Sequence, residues 1–226
     1  MDSPRSPTAI LPTGLPSSIW PSSNWEIGCM KLNWIERLVV NNPLRHASQY
    51  AEIQWFYRRL PLPAGATILE IGCGRGAGAR LIDKKFKPSL LFLLDLDMLM
   101  IRKARNYLRA SRTKKIGYCT GSATFLPFQD DSFDAIFGFG FLHHVLEWQN
   151  GLKEIRRVLR PEGIYYMLEL YPTLYQNFIT GRLLVHPTRN RFQGPALKKA
   201  LQEEGLRLAH TFEINKMGIL GIGVKN

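Results

Sequence analysis

The segment that decides the fold is Ile68-Leu69-Glu70-Ile71-Gly72-Cys73-Gly74-Arg75-Gly76-Ala77-Gly78. An apolar run that contains one acid passes directly into alternating glycines, a pattern typical of a buried strand that turns tightly into a helix. Glycine carries no Cβ atom, so a ligand can approach the backbone of such a turn and the amino end of the following helix. The segment therefore predicts a ligand-binding turn at the carboxyl end of a β-strand.

Strands and helices alternate on the carboxyl side of this turn. The predicted strands are 67–71, 90–94, 116–119, 133–137 and 164–168. The predicted helices between them are 77–85, 98–108 and 152–159, the last followed by a turn at 161–163. This alternation is typical of βαβ crossovers, so we expect a parallel sheet with helices on both faces.

The carboxyl-terminal part of the chain departs from the alternation. A helix predicted at 195–204 is followed by strands at 206–214 and 218–224. Too few residues separate these strands for a helical crossover, so they must pair as an antiparallel hairpin. We therefore expect an α/β fold in which a mostly parallel sheet of seven strands ends in this hairpin.

The amino-terminal part has a different composition. Residues 1–29 are rich in Pro and Ser and show no periodicity, which predicts a low-complexity extension without the features of a secretory signal. Residues 30–60 show helical spacing that is interrupted at Asn42-Pro43, so we expect two helices there. Residues 61–226 would then form the main domain, with an insertion at 171–194.

The charge balance of the chain is strongly basic. Lysines and arginines number 30 and acids 18, and the resulting net charge of +12 favours anionic partners. The densest basic patch, 102–115, is also typical of a solvated helix face and loop. No apolar stretch approaches the length of a membrane helix. Three cysteines without metal-site spacing predict neither a disulfide framework nor a metal, and favour a reducing, cytoplasmic setting.

Two acids indicate the charge of the ligand. Glu70 precedes the glycines and would repel a pyrophosphate, whereas it would attract a ligand that carries an ammonium group. Asp95 follows the second predicted strand, at the position where a carboxylate accepts both hydroxyl groups of a ribose. The glycine pattern alone also satisfies a permissive dinucleotide-binding fingerprint, so a dinucleotide stays open on these residues.

Further blocks of the sequence resemble class I S-adenosylmethionine-dependent methyltransferases, in particular the small-molecule branch with a type 11-like domain. Together with the glycine segment they cover roughly residues 66–170. The blocks are Leu94–Met100, Gly121–Asp134, Phe141–Val145 and Arg156–Gly163. The resemblance implies a Rossmann-like fold, S-adenosyl-L-methionine as the methyl donor and S-adenosyl-L-homocysteine as the product.

The resemblance also implies a set of cofactor-binding residues. Glu70 and the glycines would line the methionyl part of the cofactor, Asp95 would bind the ribose and Leu96 would pack against the adenine. The family usually has an acid where Ser122 stands, which predicts weaker recognition of the adenine amine. The full set is Glu70, Gly72, Cys73, Gly74, Gly76, Asp95, Leu96, Ser122, Ala123 and Phe139.

The catalytic candidates follow the fourth and fifth predicted strands, at the edge of the sheet where ligands of parallel sheets bind. They are His143, His144, Glu169 and Tyr171. Either histidine could accept a proton from the methyl acceptor, or could instead bind the local backbone. Methyl transfer from a sulfonium is an in-line displacement that depends chiefly on alignment, so it requires no metal.

The expected acceptor is a small molecule that is lipid-like, quinone-like or anionic. The helices of 30–60, acting as a lid, and the insertion 171–194 would recognise it through their aromatic and basic residues. A nucleic acid is disfavoured, because Phe137-Gly138-Phe139-Gly140 stands where enzymes that methylate bases carry an Asn-Pro-Pro-Tyr-type motif. Peripheral contact with an anionic membrane surface would use the charge together with Trp34, Trp55 and Phe56.

Two other classes of protein stay open at this point. A nicotinamide-dependent oxidoreductase would share the first strand, the glycine turn and the following helix. A non-catalytic S-adenosylmethionine-binding protein would keep Asp95 and the glycines but would transfer no methyl group.

Overall fold

The computed structural model describes residues 43–109, 115–175 and 189–226. The predicted extension 1–29 and the first predicted helix lie outside the described residues, as do parts of the basic patch and of the insertion. The helices are α1 (Pro43–Arg59), α2 (Ala77–Phe86), α3 (Met98–Tyr107), α4 (Trp148–Val158), α5 (Pro172–Tyr175) and α6 (Gly194–Glu203). The strands are β1 (Thr67–Ile71), β2 (Leu90–Asp95), β3 (Ile116–Thr120), β4 (Phe133–Phe139), β5 (Leu159–Leu170), β6 (Leu206–Ile214) and β7 (Gly218–Lys225).

The seven strands form one sheet in the order β3-β2-β1-β4-β5-β7-β6. Strands β1 to β5 pair in parallel, whereas β7 runs antiparallel to both β5 and β6. Ile71 at the end of β1 is paired with Leu94 of β2 and with Gly138 of β4. The carboxyl ends of three neighbouring strands therefore lie side by side, and the predicted α/β sheet with its terminal hairpin is confirmed.

Helices cover both faces of the sheet, as predicted. On one face, α1, α2 and α3 contribute the fully buried residues Phe56, Ile82 and Ala104 to the core. On the other face, α4 and α6 contribute Leu152 and Leu197. Both faces thus exclude water, as a parallel sheet requires. Among the described residues, no helix has both the length and the apolar character to cross a bilayer.

The connection from α4 to β5 differs from the prediction. Helix α4 begins at Trp148 and β5 at Leu159, each several residues earlier than predicted. The predicted turn at 161–163 lies inside β5, because Leu159 already pairs with Phe133. The register shifts directly after this pair and Glu162 has a φ of 61°, so the strand accommodates the Pro-Glu-Gly sequence as a bulge.

Candidate functional site

A cavity opens at the carboxyl ends of β1, β2 and β4. Its lining combines the bend after β1, the residues after β2, the segment after β4 and the amino-terminal part of α1. Of the predicted cofactor-binding residues, those that line it are Glu70, Gly72, Cys73, Gly74, Asp95, Leu96, Ala123 and Phe139. The sheet thus brings together residues that the sequence places on three separate strands.

The glycine bend, residues 72–76, is held by hydrogen bonds to the end of β2. The backbone N–H groups of Gly72 and Cys73 donate to a carbonyl of β2 at 2.8 and 3.1 Å, and that of Gly74 donates to Asp95 Oδ2 at 2.8 Å. Gly74 has a φ of 52°, and no atom lies within 4 Å of the point that its Cβ would occupy. The bend therefore presents bare backbone next to open space, which a ligand can enter.

Asp95 connects the bend to the start of α3. Its second carboxylate oxygen, Oδ1, accepts a hydrogen bond from the backbone N–H of Asp97 at 2.9 Å. Asp97 accepts from the N–H of Leu99 at 2.9 Å and is the N-cap of α3. Backbone N–H groups thus orient both oxygens of Asp95 at the edge of the cavity.

Glu70 lies at the end of β1 and is buried. Its Oε2 atom has no hydrogen-bond partner. Burial, together with the negative charge of Asp95, raises the pKa of Glu70 to about 8. A Cβ atom at Gly78 would lie 2.2 Å from Glu70 Oε1 and 2.7 Å from Gln49 Nε2, so glycine is required there. A cationic ligand group would satisfy the orphaned oxygen and favour the ionised carboxylate.

Two residues of α1 line the cavity although sequence reasoning missed them. Arg45 and Gln49 are four residues apart and therefore lie on the same face of the helix. Gln49 is buried, and Arg45 donates to Glu52 Oε1 at 2.7 Å. Their spacing was the available signal, but spacing alone does not show which helix face meets the sheet.

Two of the predicted cofactor-binding residues do not line the cavity. Gly76 is the N-cap of α2, and a Cβ atom there would lie 3.1–3.3 Å from Leu108 and Ala104, so this glycine allows the bend to pack against α3. Ser122 is buried, and its hydroxyl lies 2.8 Å from Oγ1 and 3.2 Å from the backbone nitrogen of Thr124. Both residues shape local structure, and their contact with the cofactor stays a prediction.

The structure distinguishes between the two adjacent histidines, which lie in a 3₁₀ turn at Leu142–His144. His144 lines the cavity. His143 is buried instead, and its Nδ1 lies 2.9 Å from Glu169 Oε2. The two imidazole rings are 4.3 Å apart between centroids, so the buried His143–Glu169 pair supports the ring of His144.

Glu169 and Tyr171 do not line the cavity either. The Glu169 carboxylate accepts hydrogen bonds from the backbone N–H groups of Leu142 and His143, at 3.1 and 3.3 Å, and so fixes the 3₁₀ turn. The hydroxyl of Tyr171 donates to Glu213 Oε1 at 2.6 Å, on the terminal hairpin. These partners give His143, Glu169 and Tyr171 structural contacts outside the cavity lining, and a catalytic role for them stays a prediction.

Comparison with known proteins identifies the class that this fold and site define. Residues 69–167 match the family model of a methyltransferase domain. The structure of an S-adenosylmethionine-dependent methyltransferase from Aquifex aeolicus superposes with a TM-score of 0.66, at 17% sequence identity over 87% of this chain and 100% of that chain. This likeness establishes the Rossmann-like methyltransferase fold.

Two relatives of known activity extend the comparison. The chain is 29% identical to the demethylmenaquinone methyltransferase of Lactobacillus johnsonii over 212 residues, which are 82% of this chain and 86% of that protein. It is 33% identical to the fatty-acid O-methyltransferase of Mycolicibacterium smegmatis over 108 residues, 48% of this chain and 38% of that protein. The matched residues 69–167 therefore form a methyltransferase domain, whose family and fold imply S-adenosyl-L-methionine as the cofactor.

The open space at Gly74 predicts a specific loss of cofactor binding in Gly74→Ala. Isothermal titration calorimetry should show an affinity for S-adenosylmethionine that is lower by roughly tenfold or more, because a methyl group would occupy the space beside the bare backbone. Gly65→Ala is the matched control, since Gly65 also has a positive φ and open surroundings but lies in the turn before β1. Both variants should lose about 1–2 kcal/mol of stability. Equal losses of affinity would contradict this role of the bend.

The raised pKa of Glu70 predicts opposite effects of Glu70→Gln on stability and on binding. The folded protein holds the proton of this carboxyl up to a pKa of about 8, whereas the unfolded chain releases it at its ordinary, lower value. The cofactor-free wild type should therefore lose stability relative to the Gln variant as the pH rises from about 5 to 8. Thermal melts across this range measure the difference.

The same substitution should weaken cofactor binding, because Gln cannot supply a negative charge to an ammonium group. Calorimetry of the wild type and the variant at pH 8 measures this effect. Two results would show that Glu70 is not the buried acid of the site. One is the same pH dependence in the melting curves of the wild type and the variant, and the other is an unchanged affinity of the variant for the cofactor.

Proposed function

We propose that the protein transfers the methyl group of S-adenosylmethionine to a small acceptor with an apolar body, such as a quinone-like or lipid molecule. The observation that carries the proposal is an apolar wall beside His144, which Phe139, Phe141 and Val145 form within the cavity. Two of these, Phe141 and Val145, were not among the predicted site residues. The acceptors named for the two relatives, a demethylated menaquinone and a fatty acid, also have large apolar parts.

We assign the more polar side of the cavity to the cofactor, whose chemistry the residues fit. The orphaned Oε2 of Glu70 would accept a hydrogen bond from the amino group. Asp95, which the backbone of the bend orients, would accept from the ribose hydroxyls. Leu96 and Ala123 would contact the adenine. The same bare backbone at Gly74 gives the methionyl part room to lie against the bend.

The bound cofactor supplies a methyl group on a sulfonium, which leaves as a neutral thioether. The main contribution of the chain is alignment, which accounts for about 7–11 kcal/mol of the barrier in well-oriented reactions. The apolar wall excludes water from the reacting groups. His144 would accept the proton that the acceptor loses, and the His143–Glu169 pair would position it.

A panel of acceptors tests the proposed substrate class. The full-length chain is incubated with S-adenosylmethionine labelled in its methyl group and with matched pairs of acceptors, such as a long-chain and a short-chain carboxylic acid, or a prenylated and an unprenylated quinol. The long-chain or prenylated acceptor of each pair should be labelled faster, because only that acceptor has an apolar part that can pack against the apolar wall. Faster labelling of the short or unprenylated members would contradict the proposal.

His144→Gln should lower kcat by a factor of about 10²–10⁴, the usual contribution of a positioned base. The rate of the wild type should also decline in acid, because a protonated imidazole cannot accept a proton, and the residual rate of the variant should lack this decline. His210→Gln is the control, since His210 lies on β6, outside the cavity lining. An unchanged kcat in His144→Gln would remove this residue from the role of base.

A further inference from the structure

Among the described residues, one layer of helices is rich in positive charge. The helices α1, α2 and α3, which cover one face of the sheet, contain nine lysines and arginines and two acids. Of the two acids, Glu52 binds Arg45 and Asp83 is buried. The exposed basic residues of the layer are Arg58, Arg59, Arg80, Lys84, Arg102, Lys103 and Arg105.

The helices on the opposite face are less basic. The helices α4 and α6 contain five lysines and arginines and two acids, and three of the five form ion pairs. The pairs are Arg157–Glu154, Lys198–Glu213 and Lys199–Glu203. Among the helices that the structure describes, the positive charge is therefore distributed unevenly, and the α1–α3 layer is a cationic surface.

Apolar and aromatic side chains are exposed among these basic residues. The large exposed ones of the layer are Tyr50, Tyr57, Met98, Leu99 and Tyr107. The ammonium group of Lys85 lies 4.2 Å from the ring centroid of Tyr57, and the guanidinium of Arg80 lies 5.3 Å from that of Tyr107. Two cations of α2 thus lie against tyrosine rings of α1 and α3, a combination typical of surfaces that lie at a membrane–water interface.

These aromatic residues differ from those that the sequence suggested for a membrane contact. Phe56 is fully buried in the core and Trp55 is partly buried against it, while Trp34 lies outside the described residues. Helical spacing alone did not show which aromatic side chains of α1 point outward. The exposed set is defined by the packing of the helix on the sheet.

The cationic layer extends to the candidate site. A second cavity between α1, the glycine bend and α3 is lined by residues that include His46, Lys103 and Tyr107. Arg75 and Ala77 line both this cavity and that of the candidate site. A surface bound by the layer would therefore lie next to the glycine bend of the candidate site.

We propose that the α1–α3 layer binds the surface of an anionic phospholipid bilayer. Basic residues close to such a surface each add to the attraction, and tyrosine side chains favour the interface between head groups and hydrocarbon. A nucleic acid is the other polyanion that cationic and aromatic residues recognise. Met98 and Leu99 favour the bilayer, because an exposed aliphatic side chain can enter the head-group region but offers no ring for a base to stack on. The inference does not depend on the acceptor proposed above.

Co-sedimentation of the full-length chain with lipid vesicles tests this surface. Vesicles of phosphatidylcholine alone are compared with vesicles that also contain phosphatidylglycerol, in low and in high salt. We expect binding to the anionic vesicles that is stronger by roughly tenfold or more, and we expect salt to weaken it through screening.

Two triple charge reversals locate the contact. The first, R58E/K84E/R102E, changes one exposed residue on each helix of the layer. The control, K153E/R156E/R207E, makes the same change in net charge at exposed positions on α4 and β6. None of the six residues lines either cavity. The first variant should lose roughly tenfold or more in partitioning onto anionic vesicles, whereas the control should keep most of it.

Three outcomes would overturn the proposal. Equal binding to the two kinds of vesicle would show that anionic lipid is not recognised. Equal losses in the two triple variants would show that total charge acts rather than this layer. Binding to single-stranded RNA without binding to anionic vesicles would assign the layer to a nucleic acid instead.

Discussion

The site depends on two carboxyl groups, those of Glu70 and Asp95, at the ends of adjacent parallel strands. The glycine bend lies between them. Glu70 is buried with one unpartnered oxygen, and the cost of ionising it there appears as a pKa of about 8. Asp95 adds to that cost by its negative charge, while its hydrogen bond to Gly74 holds the bend. The unpartnered oxygen of Glu70 costs stability in the absence of a ligand, whereas a cationic nucleoside bound here would give it a partner.

The features that could be predicted from the sequence are those that local chemistry determines. Apolar runs between turns defined the strands, and their alternation with helices required a parallel sheet. Because the strands run parallel, the acids that end β1 and β2 had to lie at the same edge. Glycines marked the bend, and the capping role of Asp97 followed from its place before α3.

The contacts that the sequence could not predict depend on tertiary packing. His143 and His144 are adjacent, so no pattern separates them, and the 3₁₀ turn decides which ring meets the cavity. Glu169 was placed at the correct edge, but its hydrogen bonds to the turn could not be read from a strand pattern. Arg45 and Gln49 reach the cavity because the buried face of α1 lies on the sheet, a contact between distant parts of the chain.

A crystal structure of the full-length chain with S-adenosyl-L-homocysteine tests the role of the two carboxylates most directly. The ligand should lie against the bend, with its amino group within hydrogen-bond distance of Glu70 and its ribose hydroxyls within that distance of Asp95. A ligand held elsewhere on the molecule, with neither carboxylate in contact with it, would show that these two residues do not form the cofactor site.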